Sequence, residues 1–125
     1  MNLVDCSGWL EYFSNGKNAR FFAPSIIDTK NLIVPVICIF EVFKRIAQQK
    51  DEYFALAAVT AMQQGQVIPL DANLSIHAAK MSWELKLAMA DSIIWATAKA
   101  FGAIVWTQDP DFKDFPQVRF IPSQA

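Results

Sequence analysis

Apolar residues fall along this chain in two alternating patterns. Short, largely apolar runs at Met1–Val4, Leu32–Val34, Val67–Leu70 and Ala103–Trp106 read as strands buried on both faces. Between them apolar residues recur at helical spacing, as at Trp9, Leu10 and Phe13. Ser7 is the expected N-cap of that first helix, and Ser14-Asn15-Gly16 stops it. A second helical stretch covers Ala19 to Asp28, with Pro24 bending it or limiting it to short pieces. Pro35 opens a helix that runs to Gln49. Asp51 caps another, to Gln64, which Gly65 closes. Asp71 or Asn73 caps the next, to Leu85, and a last helix spans Ala90 to Phe101, with Gly102 at its C-cap. Gln108 to Pro116 is acidic and turn-rich, and Arg119-Phe120-Ile121 closes the chain as a short strand.

This alternation predicts an α/β fold: a central, mostly parallel sheet of four to five strands, flanked by helices on both faces. The chain, residues 1–125, is long enough for one domain and too short for two good cores. With 54% hydrophobic and 18% charged residues it is not a disordered segment. The longest apolar run, Leu32–Phe40, is too short to span a bilayer and is broken by Pro35, so no membrane association is expected. The N-terminus lacks a basic region, and Asp5 interrupts its apolar start, which argues against a signal peptide. Two separated cysteines, Cys6 and Cys38, make no disulfide framework and fit a reduced, cytoplasmic setting.

Charge changes the picture more. There are 11 basic and 12 acidic residues, so phosphate neutralisation by net charge is not available. A nucleic-acid enzyme of this composition needs something other than net charge, and a bound metal cation is one candidate. The acids sit where one could be held. In a parallel sheet, ligands bind beyond the carboxyl ends of the strands. Asp5 follows the first strand, and Asp109 and Asp111 follow the fourth, just after Thr107. Two further acids interrupt apolar helical stripes: Glu41, with Ile37, Phe40 and Lys44, and Asp91, with Ile94, Trp95 and Ala98.

Each acid has an ordinary reading. Asp5 can cap the following helix, Asp91 can favour a helix N-terminus, and Asp109 can open a turn before Pro110. Together they point elsewhere, because converging carboxylates repel one another unless protonated or neutralised. Oxygen ligands suit Mg²⁺, with Mn²⁺ as a substitute. One histidine, His77, and two distant cysteines do not build a zinc site.

Four segments in order carry a family resemblance. They are Leu3-Val4-Asp5-Cys6-Ser7-Gly8-Trp9-Leu10, Ile39-Phe40-Glu41-Val42-Phe43-Lys44-Arg45, Ala90-Asp91-Ser92-Ile93-Ile94-Trp95-Ala96-Thr97-Ala98 and Trp106-Thr107-Gln108-Asp109-Pro110-Asp111-Phe112. The chain resembles the PIN-domain family, and within it the small VapC-type toxins of toxin–antitoxin pairs. The resemblance implies an acidic Mg²⁺ site and RNA cleavage. Asp5, Glu41, Asp91 and Asp109 match the family's acidic positions. Asp111 matches a further acid, and Ser7 and Thr107 match polar residues lining the site. Cys6 and Ser92 depart from the commoner residues without removing an acid.

On this reading Asp5 and Asp91 are the principal metal ligands, and Asp109 binds directly or through water. Glu41 holds or deprotonates the attacking water. One ion or two would serve this chemistry; a second, roughly 3.5–4 Å from the first, would arrive with substrate. Hydrolysis by water leaves a 5′-phosphate and a 3′-hydroxyl. The resemblance also implies a homodimer and a cognate antitoxin whose tail covers the site. The aromatic cluster Trp9, Tyr12, Phe13, Phe21, Phe22, Phe40 and Phe43 independently suggests more apolar surface than one domain buries.

Lys44 and Arg45, one turn beyond Glu41, are within reach of a phosphate, and Lys80, Lys86 and Lys113 are candidates to line a groove; most of the five read as solvated surface charges, and none is assigned a role. His77 reads as a helix-surface or core residue, and Asp28, Asp51 and Asp71 as caps or turn acids. Other readings use the same residues: a non-catalytic binding subunit of the same fold, or a DNA-directed nuclease of related fold. A phosphate-accepting receiver wants paired acids after the first strand, where Asp5 stands alone.

Overall fold

A computed structural model describes residues 1–124. Five strands, β1 (Asn2–Val4), β2 (Leu32–Pro35), β3 (Gln66–Ile68), β4 (Ile104–Thr107) and β5 (Val118–Phe120), form one sheet in the order β3-β2-β1-β4-β5. Every neighbouring pair is parallel. Six helices connect them: α1 (Cys6–Phe13), α2 (Ala19–Ile27), α3 (Val36–Gln49), α4 (Glu52–Met62), α5 (Ala72–Leu85) and α6 (Met89–Phe101). Single 3-10 turns lie at Thr29–Asn31 and Pro110–Phe112.

The strand order follows from the connections. From β1 the chain steps twice to one side through α1–α2 and α3–α4. It then returns through α5–α6 to the other side of β1. Right-handed crossovers in opposite directions place these helix pairs on opposite faces. Both faces are therefore covered, and Leu32 to Pro35 of β2 are buried throughout, as the unbroken apolar run required. The order reverses between β1 and β4, so a crevice opens beyond their carboxyl ends. Among the described residues no helix is long and apolar enough to cross a membrane.

The caps correct and refine the sequence reading. Ser7 is not the N-cap of α1; Asp5 is, its carboxylate accepting from the Gly8 amide at 3.0 Å. Ser7 lies inside the first turn. Asp51 and Asp71 cap α4 and α5 through the amides of Phe54 and Leu74. Helix α2 is one continuous helix with Pro24 inside it. Gly65 does not end α4, which stops at Met62 with Gln63 as its cap. Gly102 does end α6, in the left-handed conformation at φ 61° that a side chain resists.

Helix α3 corrects a second expectation. Its inward stripe is Cys38 and Val42, both fully buried, rather than Ile37, Phe40 and Lys44. Phe40 is 62% exposed and Lys44 is exposed. The helix start is apolar almost all round, so spacing alone does not choose the covered face. Glu41 is half-buried, at the margin of the inward stripe.

The core closes tightly under α1. A Cβ on Gly8 would stand 2.6 Å from Val4 Cγ1 and 2.7 Å from the Phe22 ring, and both neighbours are fully buried. Gly8→Ala is therefore expected to destabilise by about 1–2 kcal/mol: overpacking outweighs the helix preference of alanine. Urea unfolding midpoints of the two proteins check this.

Candidate active site

The acids from four separate segments are carried to one end of the sheet. Asp5 leaves the end of β1. Asp109 lies two residues beyond β4, and Asp111 sits in the following 3-10 turn. Asp91 is in the first turn of α6, which runs back antiparallel to β4 and so starts at the same end. Glu41 comes from α3, which follows β2.

Asp5 is 3% exposed, and its carboxylate accepts three hydrogen bonds that hold the site together. One oxygen accepts from Ser7 Oγ at 2.7 Å and from the Gly8 amide; the other accepts from Thr107 Oγ1 at 2.6 Å. Thr107 in turn accepts from the Asp109 amide at 2.8 Å, and Asp109 accepts from the Asp111 amide at 2.9 Å. Ser7 also accepts from the Gln108 amide at 3.3 Å. A continuous polar chain thus runs from the buried end of β1 to the exposed Asp111. Thr107→Val would leave a buried carboxylate oxygen and the Asp109 amide without that partner. Its expected cost is about 1–3 kcal/mol, read by urea unfolding.

An aromatic wedge fixes the acidic turn against α6. Phe112, next to Asp111, is fully buried. Its ring centroid lies 6.2 Å from that of Trp95, one turn beyond Asp91, and Phe115 closes the group at 4.9 Å from Trp95. Side chains four apart share a helix face, so seating Phe112 against Trp95 brings the turn's acids to Asp91.

Carboxylate oxygens of Asp91, Asp109 and Asp111 lie within 4.8 Å of one another, close enough to hold one cation. Asp5 and Glu41 are outside that trio but feel it. Burial, and then the charges of Asp109, Asp111, Asp5 and Glu41, together raise the Asp91 acid to about 6. Burial raises Asp5 to about 6 as well, against the opposing hydrogen bonds of Thr107, Ser7 and Gly8. The donors are all oxygen and all anionic, a set that fits a hard divalent cation such as Mg²⁺.

These shifts set a pH dependence. Native Asp5 holds its proton up to about pH 6, whereas an ordinary Asp releases it near 3.8. Between these values the native state binds more protons than the unfolded chain. Stability of the metal-free protein therefore rises as pH falls through this window, by about 3 kcal/mol from Asp5. Asp91 acts in the same direction. Urea midpoints in chelator at pH 7 and pH 4.5 read the trend, and Asp5→Asn should flatten it.

Other expectations resolve plainly. Cys38 is buried, and its contact with Cys6, its burial and the nearby Asp5 and Glu41 hold its thiol well above the usual range. Both cysteines are free and Cys38 packs as a small hydrophobe, while Cys6 is half-buried. His77 is exposed on α5. Of the aromatic cluster, Trp9 and Phe22 are fully buried, and Phe40 stands out to solvent. Asp28 accepts from the Asn31 amide group in a turn.

One residue the sequence did not single out is Asn18, 2% exposed. Its amide donates to Gln108 Oε1 and to the Pro122 carbonyl, both at 2.9 Å, and accepts from Gln124 at 2.7 Å. It ties the α1–α2 loop and the chain end to the residue between Thr107 and Asp109. Locally Asn18 reads as loop, and only its distant partners reveal it.

The PIN domain family model matches residues 3–118. Among solved structures, the fold is similar to a chain of a toxin–antitoxin complex from Klebsiella pneumoniae. The identity is 21%, over 95% of this chain and 96% of that one, with TM-score 0.80. It is also similar to Mycobacterium tuberculosis VapC20, described as a toxin that cleaves the sarcin–ricin loop. That identity is 17%, over 95% and 99% of the two chains, with TM-score 0.77. A chain of DNA-bound VapBC from Salmonella typhimurium matches at 18% identity, over 98% of each chain, with TM-score 0.74. No curated protein matches the chain by sequence.

Proposed function

The chain belongs to the PIN-domain family, and from that premise we propose that it is a Mg²⁺-dependent endoribonuclease, the toxin of a toxin–antitoxin pair. The observation that carries the reading is the meeting of Asp91, Asp109 and Asp111 beside buried Asp5, at the point where the strand order reverses. The fold likeness to VapC proteins of toxin–antitoxin complexes supports it.

Asp91 and Asp109 would hold Mg²⁺ directly. Asp5, with three hydrogen bonds already accepted, has one lone-pair site left for the cation from the buried side. Asp111 closes the exposed side. The cation would offset charge developing on the phosphate and acidify the attacking water. Ser7 and Thr107 keep the Asp5 carboxylate from turning, so the donor set is preorganised rather than assembled by substrate. Glu41, half-buried at the margin, takes the proton of the attacking water. Attack by water leaves a 5′-phosphate and a 3′-hydroxyl.

The expected partners are an RNA substrate in the cytoplasm, a cognate antitoxin and a second copy of the chain. An apolar groove of about 530 Å³ between α3 and α4, lined by Phe40, Leu56 and Val59, leaves uncovered surface that supports such associations.

The test is cleavage of a mixed tRNA and rRNA pool by antitoxin-free protein, with and without Mg²⁺, beside single-stranded DNA. Metal-dependent RNA cutting with 5′-phosphate ends is the expected result. Cutting of DNA alone reassigns the substrate. Failure to cut either by a folded protein that binds Mg²⁺ makes the chain a binding subunit.

A further inference from the structure

A groove of about 550 Å³ opens between α1, α3 and α4, lined largely by apolar side chains, and ends at Ser7 and Gln108, beside the acidic site. Its inner wall includes Ser7, which donates to Asp5, and Gln108, which precedes Asp109. The rest of its lining differs in character from the site. Arg45 and Lys50 supply positive charge, and Phe13 and Phe54 supply aromatic faces. Both cations are exposed, and Phe54 is 51% exposed. Lys50 Nζ lies over one face of the Phe54 ring, 5.1 Å from its centroid, which leaves the other face to a base. Glu11 also borders the groove, but its carboxylate is turned to the Asn18 amide at 2.8 Å and lies over Gly16.

We propose that this groove is the track of single-stranded RNA leading to the scissile phosphate, with Arg45 and Lys50 on backbone phosphates and Phe13 and Phe54 stacking on bases. The inference deepens the nuclease reading and rests on it. Charge complementarity favours it: the carboxylate site repels phosphates, so a strand needs cations next to it, and these two stand in a groove whose inner end is Ser7, bonded to Asp5, and Gln108, the neighbour of Asp109. Cations interleaved with aromatic faces are the surface that holds single strands. The volume is that of a drug-sized pocket, room for roughly one or two nucleotides, too little for a duplex. Arg45 faces this groove and Lys44 the apolar one on the other side of α3, so the two neighbours have different roles.

The test measures binding apart from cutting. Anisotropy of a labelled mixed-sequence oligoribonucleotide is followed in chelator, with single-stranded DNA and duplex RNA beside it. Arg45→Glu with Lys50→Glu is expected to weaken RNA binding at least about tenfold. The slope of log Kd against log salt should fall by about 1.4, or about 0.7 for each of two lost phosphate contacts. Phe54→Ala should weaken binding about fivefold or more. Lys80→Glu with Lys86→Glu, on α5 and at its C-cap, makes the same change in net charge and should leave Kd within about twofold. Mg²⁺ affinity, by calorimetry, should stay unchanged in both pairs.

Equal losses in the two charge-reversal pairs would overturn the track, as would duplex RNA binding as tightly as the single strand. Failure of the wild-type protein to bind RNA would also overturn it and assign the groove to a protein segment. The two readings fail separately. Groove-dependent binding without cutting leaves the track standing and removes the nuclease; cutting with KM unchanged in the groove variants does the reverse.

Discussion

Asp91→Asn is expected to abolish metal-dependent cleavage while making the metal-free protein more stable at pH 7. The two effects have one cause. Asp91 is half-buried among Asp109, Asp111, Asp5 and Glu41, and its acid is raised to about 6. An asparagine removes one of several repelling charges, so the empty site relaxes. The same change removes a ligand from the only trio of carboxylates close enough to share a cation among the described residues. Loss of groups that merely orient metal ligands costs about 10–100-fold in affinity or activity, so loss of a ligand should cost at least about a hundredfold. The checks are cleavage rate with Mg²⁺ and thermal unfolding with Mg²⁺ or chelator. Wild-type protein should gain stability from Mg²⁺ at pH 7, and the variant should not. A variant that loses stability in chelator would show that Asp91 has a structural role instead.

Phe112→Ala carries the largest expected stability effect. Phe112 is fully buried, yet it belongs to a three-residue turn with little backbone structure of its own. Its ring packs with Trp95 and Phe115. Truncation of a buried phenylalanine costs about 3–5 kcal/mol, which here corresponds to roughly 10–20 °C in Tm. Because the wedge also presents Asp109 and Asp111 to Asp91, Mg²⁺ affinity should fall with it. Phe112→Leu should recover most of the stability and part of the affinity. Affinity unchanged in a folded Phe112→Ala protein would mean that the hydrogen bonds from Thr107 and Asp5 place the turn without the wedge.

The sequence was most legible where a single physical cause acted locally. Four apolar runs each marked a strand, because few other short elements hide both faces; the third is shifted, β3 being the edge strand Gln66–Ile68 rather than Val67–Leu70, with Gln66 and Leu70 exposed. Asp51, Asp71 and Gly102 marked helix ends because capping is settled within a few residues. The acids were conspicuous as charges at strand ends or among apolar helical residues, where an unpaired carboxylate is costly. The resemblance to the PIN family added an order for those acids that no spacing rule supplies.

Errors came where two local solutions were nearly equal. Asp5 and Ser7 are both good capping residues two positions apart. The choice fell to Asp5 because Ser7 and Thr107 both donate to its carboxylate, and Thr107 is 102 residues away in the chain. On α3, Val36 to Phe43 is apolar on every side but Glu41, so periodicity could not rank Phe40 against Cys38. Packing of the helix on β2 and α1 put Cys38 and Val42 inside.

The sequence by itself therefore determined the α/β alternation, the approximate strand and helix positions and a set of candidate acids, because propensity, capping and burial cost are properties of short segments. Tertiary structure alone decided which acids share a point in space, that Phe112 wedges the acidic turn against α6, that Asn18 gathers partners 90 to 106 residues away, and that Arg45 and Lys50 line a groove ending at Ser7 and Gln108. Those relations depend on the direction of each crossover and on side-chain contacts between distant segments, and no local pattern encodes them.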